Sequence, residues 1–186
     1  PRCPSTGWSG VGWVGAPGAV LFTSGTDYDA SVAHEFGHNL GGNHGSYMAG
    51  GSRGAKAWKD SSSYVEYGNP HTTMGNGNFE DFNVDFLIEG KLVFDWMPES
   101  QMAVISPFSV AAPCRVKCGP YFLQLTDTGS KTSNSLLGIQ ITTSVANRNF
   151  FIEHRKSSTQ GNAALITWTD TSNGGGTGRY ANSILT

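Results

Sequence analysis

The sequence predicts an α+β protein in two parts: residues 1–98 as a helix-bearing half, and residues 99–186 as a small antiparallel β-sandwich-like half. Three observations predict it. Tyr28, Val32, Phe36 and Leu40 recur every four residues, the mark of an amphipathic helix. Histidines and a glutamate fall on that same helix at metal-ligand spacing. After Pro98, short β-prone runs alternate with turn-forming residues.

Residues 13–23 supply candidate strands ahead of the helix, including an edge along which an extended peptide could lie. Thr26-Asp27-Tyr28-Asp29 resembles a capping box, so the helix is expected to begin between residues 26 and 29 and to stop near Leu40. His34 lies about 200° round the helix from Val32. The apolar stripe is therefore expected to face a core while the opposite side holds metal.

His34-Glu35-Phe36-Gly37-His38-Asn39-Leu40-Gly41-Gly42-Asn43-His44 reads H-E-x-x-H-x-x-G-x-x-H. Positions i and i+4 share a helix face, so His34 and His38 can reach one ion. Gly41 can take the left-handed conformation that ends a helix, and the returning chain then brings His44 as third ligand. Three imidazoles with one open position for water form the ligand set of a catalytic zinc, so Zn2+ is the expected cofactor. Glu35, beside the ligands, is the candidate catalytic residue, a general base for water. The bland reading is a helix with three ordinary histidines. The glycine and third histidine at their required offsets weigh against it.

Downstream, Tyr67-Gly68-Asn69-Pro70-His71-Thr72-Thr73-Met74-Gly75 carries a methionine whose flexible thioether suits irregular space under a rigid site. Taken alone, a methionine before a glycine reads as plain core. Tyr67 either sets a hydroxyl near the reacting group or packs, and packing is the preferred reading. His71 is a rival ligand, but loop histidines near turns are usually solvated, and three ligands leave no place for a fourth in a working enzyme.

The zinc motif, this turn and the Phe82-Asn83 step after it together resemble the gametolysin family of metzincin zinc peptidases, extracellular enzymes best known from green algae. Trp8-Ser9-Gly10-Val11-Gly12-Trp13-Val14-Gly15 is similar to the family's Gly-rich stretch, and Leu92-Val93-Phe94-Asp95-Trp96 to its Trp-ended segment. The resemblance covers residues 7–97 well and the rest loosely. It implies a partial metzincin catalytic domain, the zinc helix plus the lower subdomain, with Met74 as the structural Met-turn methionine beneath the ligands. It also implies a secreted zinc endopeptidase that hydrolyses extracellular-matrix or cell-wall proteins and glycoproteins, often rich in proline or hydroxyproline. Asn69 stands where the family commonly has Asp. Only about thirty residues precede the zinc helix, whereas the family has a longer upper half, so an N-terminal part is expected upstream. The alternative function is a non-catalytic, zinc-stabilised structural or adhesive module of a larger extracellular assembly. An intact Glu35 argues against it, since structure alone does not require that carboxylate. A zinc hydrolase of non-peptide substrates is disfavoured by the long motif and the methionine turn.

Composition narrows the partners. A formal net charge of −2 gives no electrostatic case for nucleic acid or an anionic membrane, and no apolar run is long enough to insert in a bilayer. Charged residues make up 14% and glycines number 25, which fits a low-charge extracellular surface and tight turns. No signal peptide is visible at the start, so secretion requires one upstream. The odd set Cys3, Cys114 and Cys118 points to a disulfide partner in another chain or segment of a larger protein. Cys114 and Cys118 are close enough to bridge, but each could pair elsewhere. Pro1-Arg2-Cys3 is similar to the cysteine switch of some metzincin zymogens, yet it sits too near the helix for a prosegment to intervene. A structural disulfide is preferred. No Asp-rich loop matches a standard calcium site.

Residues 85–96 are expected to form a second helix, with Phe86, Leu87, Gly90 and Phe94 roughly on one side and Gly90 weakening it. Strands are expected at 102–105, 121–126, 136–145, 149–154 and 163–169, with turns at 127–130 and 172–176. Glu153-His154-Arg155 reads as a solvated edge, because alternation sends neighbours to opposite faces. Trp168 and Tyr180 read as packing rather than a carbohydrate platform. The β-rich half is assigned a docking or stabilising role.

Overall fold

A computed structural model describes residues 9–21, 28–48, 64–75, 85–106, 120–126, 132–144, 148–157, 161–170 and 181–183. Trp8, Thr26 and Asp27, all three cysteines, the Phe82-Asn83 step, the turns at 127–130 and 172–176, and Tyr180 lie outside the described residues.

The chain is mixed α and β. A hairpin comes first: β1 (Gly10–Gly12) pairs antiparallel with β2 (Ala19–Leu21), Val11 opposite Val20. Next is α1 (Tyr28–Asn39), close to its expected span. It ends as Gly41 predicts. Gly41 has φ 101°, its N–H donates to the His38 carbonyl, and the Gly42 N–H donates to the Gly37 carbonyl. This paired closure satisfies two end carbonyls and turns the chain back. β3 (Tyr47–Met48) then pairs antiparallel with β4 (Tyr64–Val65), which delivers Glu66 beside the post-helical segment. The second helix, α2 (Ile88–Val93), is half the expected length. Asp95 at φ 58° ends it, a conformation that no helix can propagate.

A 3-10 turn at Glu99–Gln101 leads into one five-stranded sheet of β5 (Met102–Ile105), β6 (Gly138–Thr142), β7 (Arg148–Ser157), β8 (Gly161–Asp170) and β9 (Ala181–Ser183), in that spatial order. Here the expectation of an antiparallel sandwich needs correcting. Among the described residues after Pro98 this is the one sheet, and β5 pairs with β6 in parallel. Helix α2 takes the covering role instead. Ile88 and Met97 join Met102, Leu137 and Phe151 in one buried cluster, with Leu92 and Val104 against it. The core thus crosses Pro98, and both halves of the sequence share it. The segment expected as a strand at 121–126 makes only isolated bridges, Leu123 to Leu136 and Leu125 to His154.

The buried side of α1 is also not the expected one. Val32 and Phe36 are 37% and 51% exposed, whereas His34, Glu35, Gly37 and His38 are buried. The neighbours decide this. The Gly15 N–H donates to the His38 carbonyl, Asn39 Nδ2 donates to the Trp13 and Gly18 carbonyls, and Met74 and Phe86 pack under Gly37. Coverage comes from elements whose position the helix's own hydropathy does not encode.

Nor is Glu153-His154-Arg155 a solvated edge. Residues i and i+2 of a strand share a face. Phe151, Glu153 and Arg155 point inward beneath α2, while His154 lies on the other side, half-buried. Glu153 accepts from the Ile88 N–H at 3.3 Å, Thr126 Oγ1 at 2.7 Å and Arg155 Nε at 3.1 Å. Lys91 pairs with Asp85 and donates to the Thr126 carbonyl.

Glu89 is buried in the same layer, and burial, with the Glu153 charge adding to it, pushes its carboxyl from 4.5 up to about 8. Between those values the folded chain holds a proton that the unfolded chain has released. Its stabilising contribution is complete below pH 4.5 and is lost as pH rises towards 8. At about 1.4 kcal/mol per pH unit the loss reaches a few kcal/mol. Glu89→Gln keeps the neutral shape and cannot ionise. Its melting temperature is expected to exceed that of the parent at pH 8 and to match it near pH 5. Parallel curves across that range would rule the ionisation out.

Candidate metal centre

His34, His38 and His44 each present one ring nitrogen within 4.8 Å of the others, and together they can hold a metal ion. Helix α1 fixes two of them. His34 and His38 stand one turn apart on its buried side, with ring centroids 4.8 Å apart. The turn at Gly41 brings the third, whose ring lies 4.8 Å from that of His38 and 5.4 Å from that of His34.

Each ring is anchored through its other nitrogen. His34 Nδ1 donates to the Thr73 carbonyl at 2.8 Å, His38 Nδ1 to the Gly42 carbonyl at 2.7 Å, and His44 Nδ1 to the Glu66 carboxylate at 2.7 Å. Such acceptors hold the ring proton on Nδ1 and leave a lone pair on Nε2, the arrangement typical of metal-ligating histidines. The Nε2 atoms of His38 and His44 then face each other at 3.1 Å, lone pair to lone pair. That contact is repulsive unless something positive lies between them. Two nitrogens on a tetrahedral zinc stand about 3.3 Å apart, so this pair has the spacing of co-ligands. Burial pushes the pKa of His34 down to about 4 against the pull of its Thr73 bond. Burial lowers His44 too, with Glu66 opposing. Both are neutral at pH 7, the form that binds a cation.

Glu35 is 5% exposed, and its Oε2 is buried without a protein hydrogen-bond partner. Burial raises its pKa, while His38 and the Gly12 amide oppose the shift. Strand β1 makes the room for it. A Cβ on Gly10 would lie 2.6 Å from Glu35 Oε1, and one on Gly12 would lie 2.6 Å from the Glu35 carbonyl oxygen.

Met74 is 3% exposed and packs with Phe86, Phe94 and Leu40. Its sulfur occupies the space that any side chain on Gly37 would need, which places it under the helix between the two ligands of α1. Its carbonyl accepts from the Gly45 N–H at 2.6 Å, tying the turn to the residue after His44. Tyr67, at φ 61°, is 41% exposed and sets its ring 3.8 Å from that of His44. Burial raises its pKa, so the phenol stays protonated at neutral pH. His71 does not join the triad. Its N–H donates to Asn69 Oδ1, and its carbonyl faces Arg155.

Comparison with protein-family models, with curated proteins and with solved structures gives no match. The site therefore stands on its own geometry. Sequence reasoning missed three of its parts. Glu66 had a signal, a carboxylate directly ahead of the methionine-bearing turn. Gly10 and Gly12 had another, since Gly-x-Gly leaves one face of a strand bare. The Thr73 carbonyl had none, because any residue carries one.

Proposed function

We propose that this chain is a zinc metalloendopeptidase of the metzincin kind, similar to the gametolysins, acting outside the cell on matrix or cell-wall proteins and glycoproteins. One observation carries the reading. Three imidazoles tethered through Nδ1 gather one ring nitrogen each within 4.8 Å of the others, beside a buried glutamate with an unpartnered oxygen. A merely structural metal site has no use for that carboxylate.

His34, His38 and His44 would hold the zinc. Bound there, zinc supplies a Lewis acid for a carbonyl and lowers the pKa of water to about 7. Glu35 takes the proton of the attacking water on its free oxygen and later delivers it to the leaving amine. Burial raises its pKa, which favours holding the proton for that return. Among the described residues β1 and β2 pair only with each other, so a free strand edge remains. With β1 beside Glu35 and bare at Gly10 and Gly12, that edge suits an extended peptide held by main-chain hydrogen bonds. Tyr67 packs beside the His44 and His34 rings, and Met74 props the ligand-bearing helix at Gly37. No helix among the described residues is long and apolar enough to cross a membrane.

A broad peptide library digested with and without a chelator tests the proposal. Cleavage that the chelator abolishes and added zinc restores is expected. A zinc-loaded chain that cuts nothing in the library would favour the structural or adhesive module instead.

A further inference from the structure

We infer that Arg155, far from the zinc motif in sequence, is a positioning residue for the metal centre. The inference rests on the zinc reading above and goes beyond it, because it assigns the β-sheet a part in metal binding. Arg155 leaves β7 and places its guanidinium against the methionine-bearing turn. Nη1 donates to the His71 carbonyl and, at 3.4 Å, to the Asp85 carbonyl; Nη2 donates to the Phe86 carbonyl. Nε is held by Glu153 at 3.1 Å, and Glu153 is itself fixed by the Ile88 N–H and Thr126. One planar group thus joins the sheet to the two segments that flank residues 76–84.

What the turn carries makes this consequential. Thr73 supplies the carbonyl that orients His34. Met74 props α1 at Gly37 and accepts from Gly45, next to His44. The Gly45 carbonyl accepts from the Asn69 N–H, closing the loop. A shift of the His71 carbonyl therefore reaches two of the three ligands through the short backbone stretch to Thr73 and Met74 and one hydrogen bond from each. These bonds of Arg155 reach the turn, Asp85, Phe86 and Glu153 rather than a ligand ring. Its work is to set where Thr73 and Met74 stand. The charge is buried, and a fork of fixed N–H directions is what three carbonyls and a carboxylate in different directions require.

Arg155→Lys keeps the charge for Glu153 but lacks the planar fork. Zinc and cobalt affinity would be measured by chelator competition on the whole chain, with the cobalt absorption spectrum as a second readout. The expected result is affinity about 10- to 100-fold weaker and an altered cobalt spectrum, in a chain with the parent's circular dichroism. In the metal-free protein, the Gly45 and Gly75 amides, bonded to the Met74 and Thr72 carbonyls, are expected to exchange faster with solvent. Ile139→Ala separates positioning from general weakening. Ile139 pairs with Ile152, on the sheet face opposite Arg155, so this variant is expected to lose stability and keep parental affinity. If Arg155→Lys does not fold, Arg155→Met combined with Glu153→Gln leaves no charge of that pair unmatched and is judged by the same readouts. A folded Arg155 variant with parental affinity and spectrum overturns the inference, as does an equal affinity loss in Ile139→Ala. A parent chain that binds neither metal defeats the zinc reading itself and this inference with it.

Discussion

Glu35→Gln is expected to keep zinc bound and the fold intact while lowering peptide turnover by roughly 10²–10⁴-fold, the usual worth of a positioned acid–base group. Glutamine has the size of glutamate and fits the space beside Gly10 and Gly12. It accepts hydrogen bonds but cannot take a proton at neutral pH. The buried oxygen without a protein partner is thus lost as a base and nothing else moves. Burial raises the pKa of Glu35, so activity should fall on the acidic side at a pH above the ordinary glutamate value of 4.5. Turnover near the parental rate in a zinc-loaded variant would remove Glu35 from the mechanism.

His38→Ala is expected to abolish tight metal binding and the stability linked to it. His38 sits between the other two ligands, with its ring 4.8 Å from each. An ion that binds only the folded chain stabilises it by about 4 kcal/mol when present at a thousand times its dissociation constant. For a chain of this size that corresponds to about 2–4 °C in Tm per kcal/mol. A chelator should therefore lower the melting temperature of the parent and leave that of His38→Ala unchanged. The variant also leaves the Gly42 carbonyl without its imidazole donor, so even the metal-free form should be slightly weaker. Unaltered zinc content in the variant would sink the ligand assignment.

Much of the site was legible in the residues. The convergence of His34, His38 and His44 follows from helical periodicity plus one glycine able to turn the chain. The bounds of α1 and the strands β5 to β8 also followed from local pattern, to within a few residues. Two readings failed for one shared reason. Periodicity alone predicts the stripe at Val32 and Phe36 as the core face of α1, and Glu153 with Arg155 as a solvated edge. Hydropathy gives each face a preference, but the elements that pack against the helix decide which face is covered. Here the β1–β2 hairpin, the methionine-bearing turn and Phe86 cover the motif side of α1. Glu153 and Arg155 are tolerated inside because each satisfies the other along with surrounding backbone groups.

By itself the sequence determined which side chains can share an ion, which carboxylate stands beside them and where the helix must end. All of these depend on spacing along a single helix and the turn after it, and local geometry fixes them. The tertiary structure alone decided what holds the imidazoles of His34 and His44 in orientation, a Thr73 carbonyl 39 residues from His34 and a Glu66 carboxylate 22 residues from His44, and it alone brought a guanidinium to a turn 84 residues away. Backbone carbonyls are the same in every residue, and long-range pairs leave no periodic trace, so their partners exist only once the chain has packed.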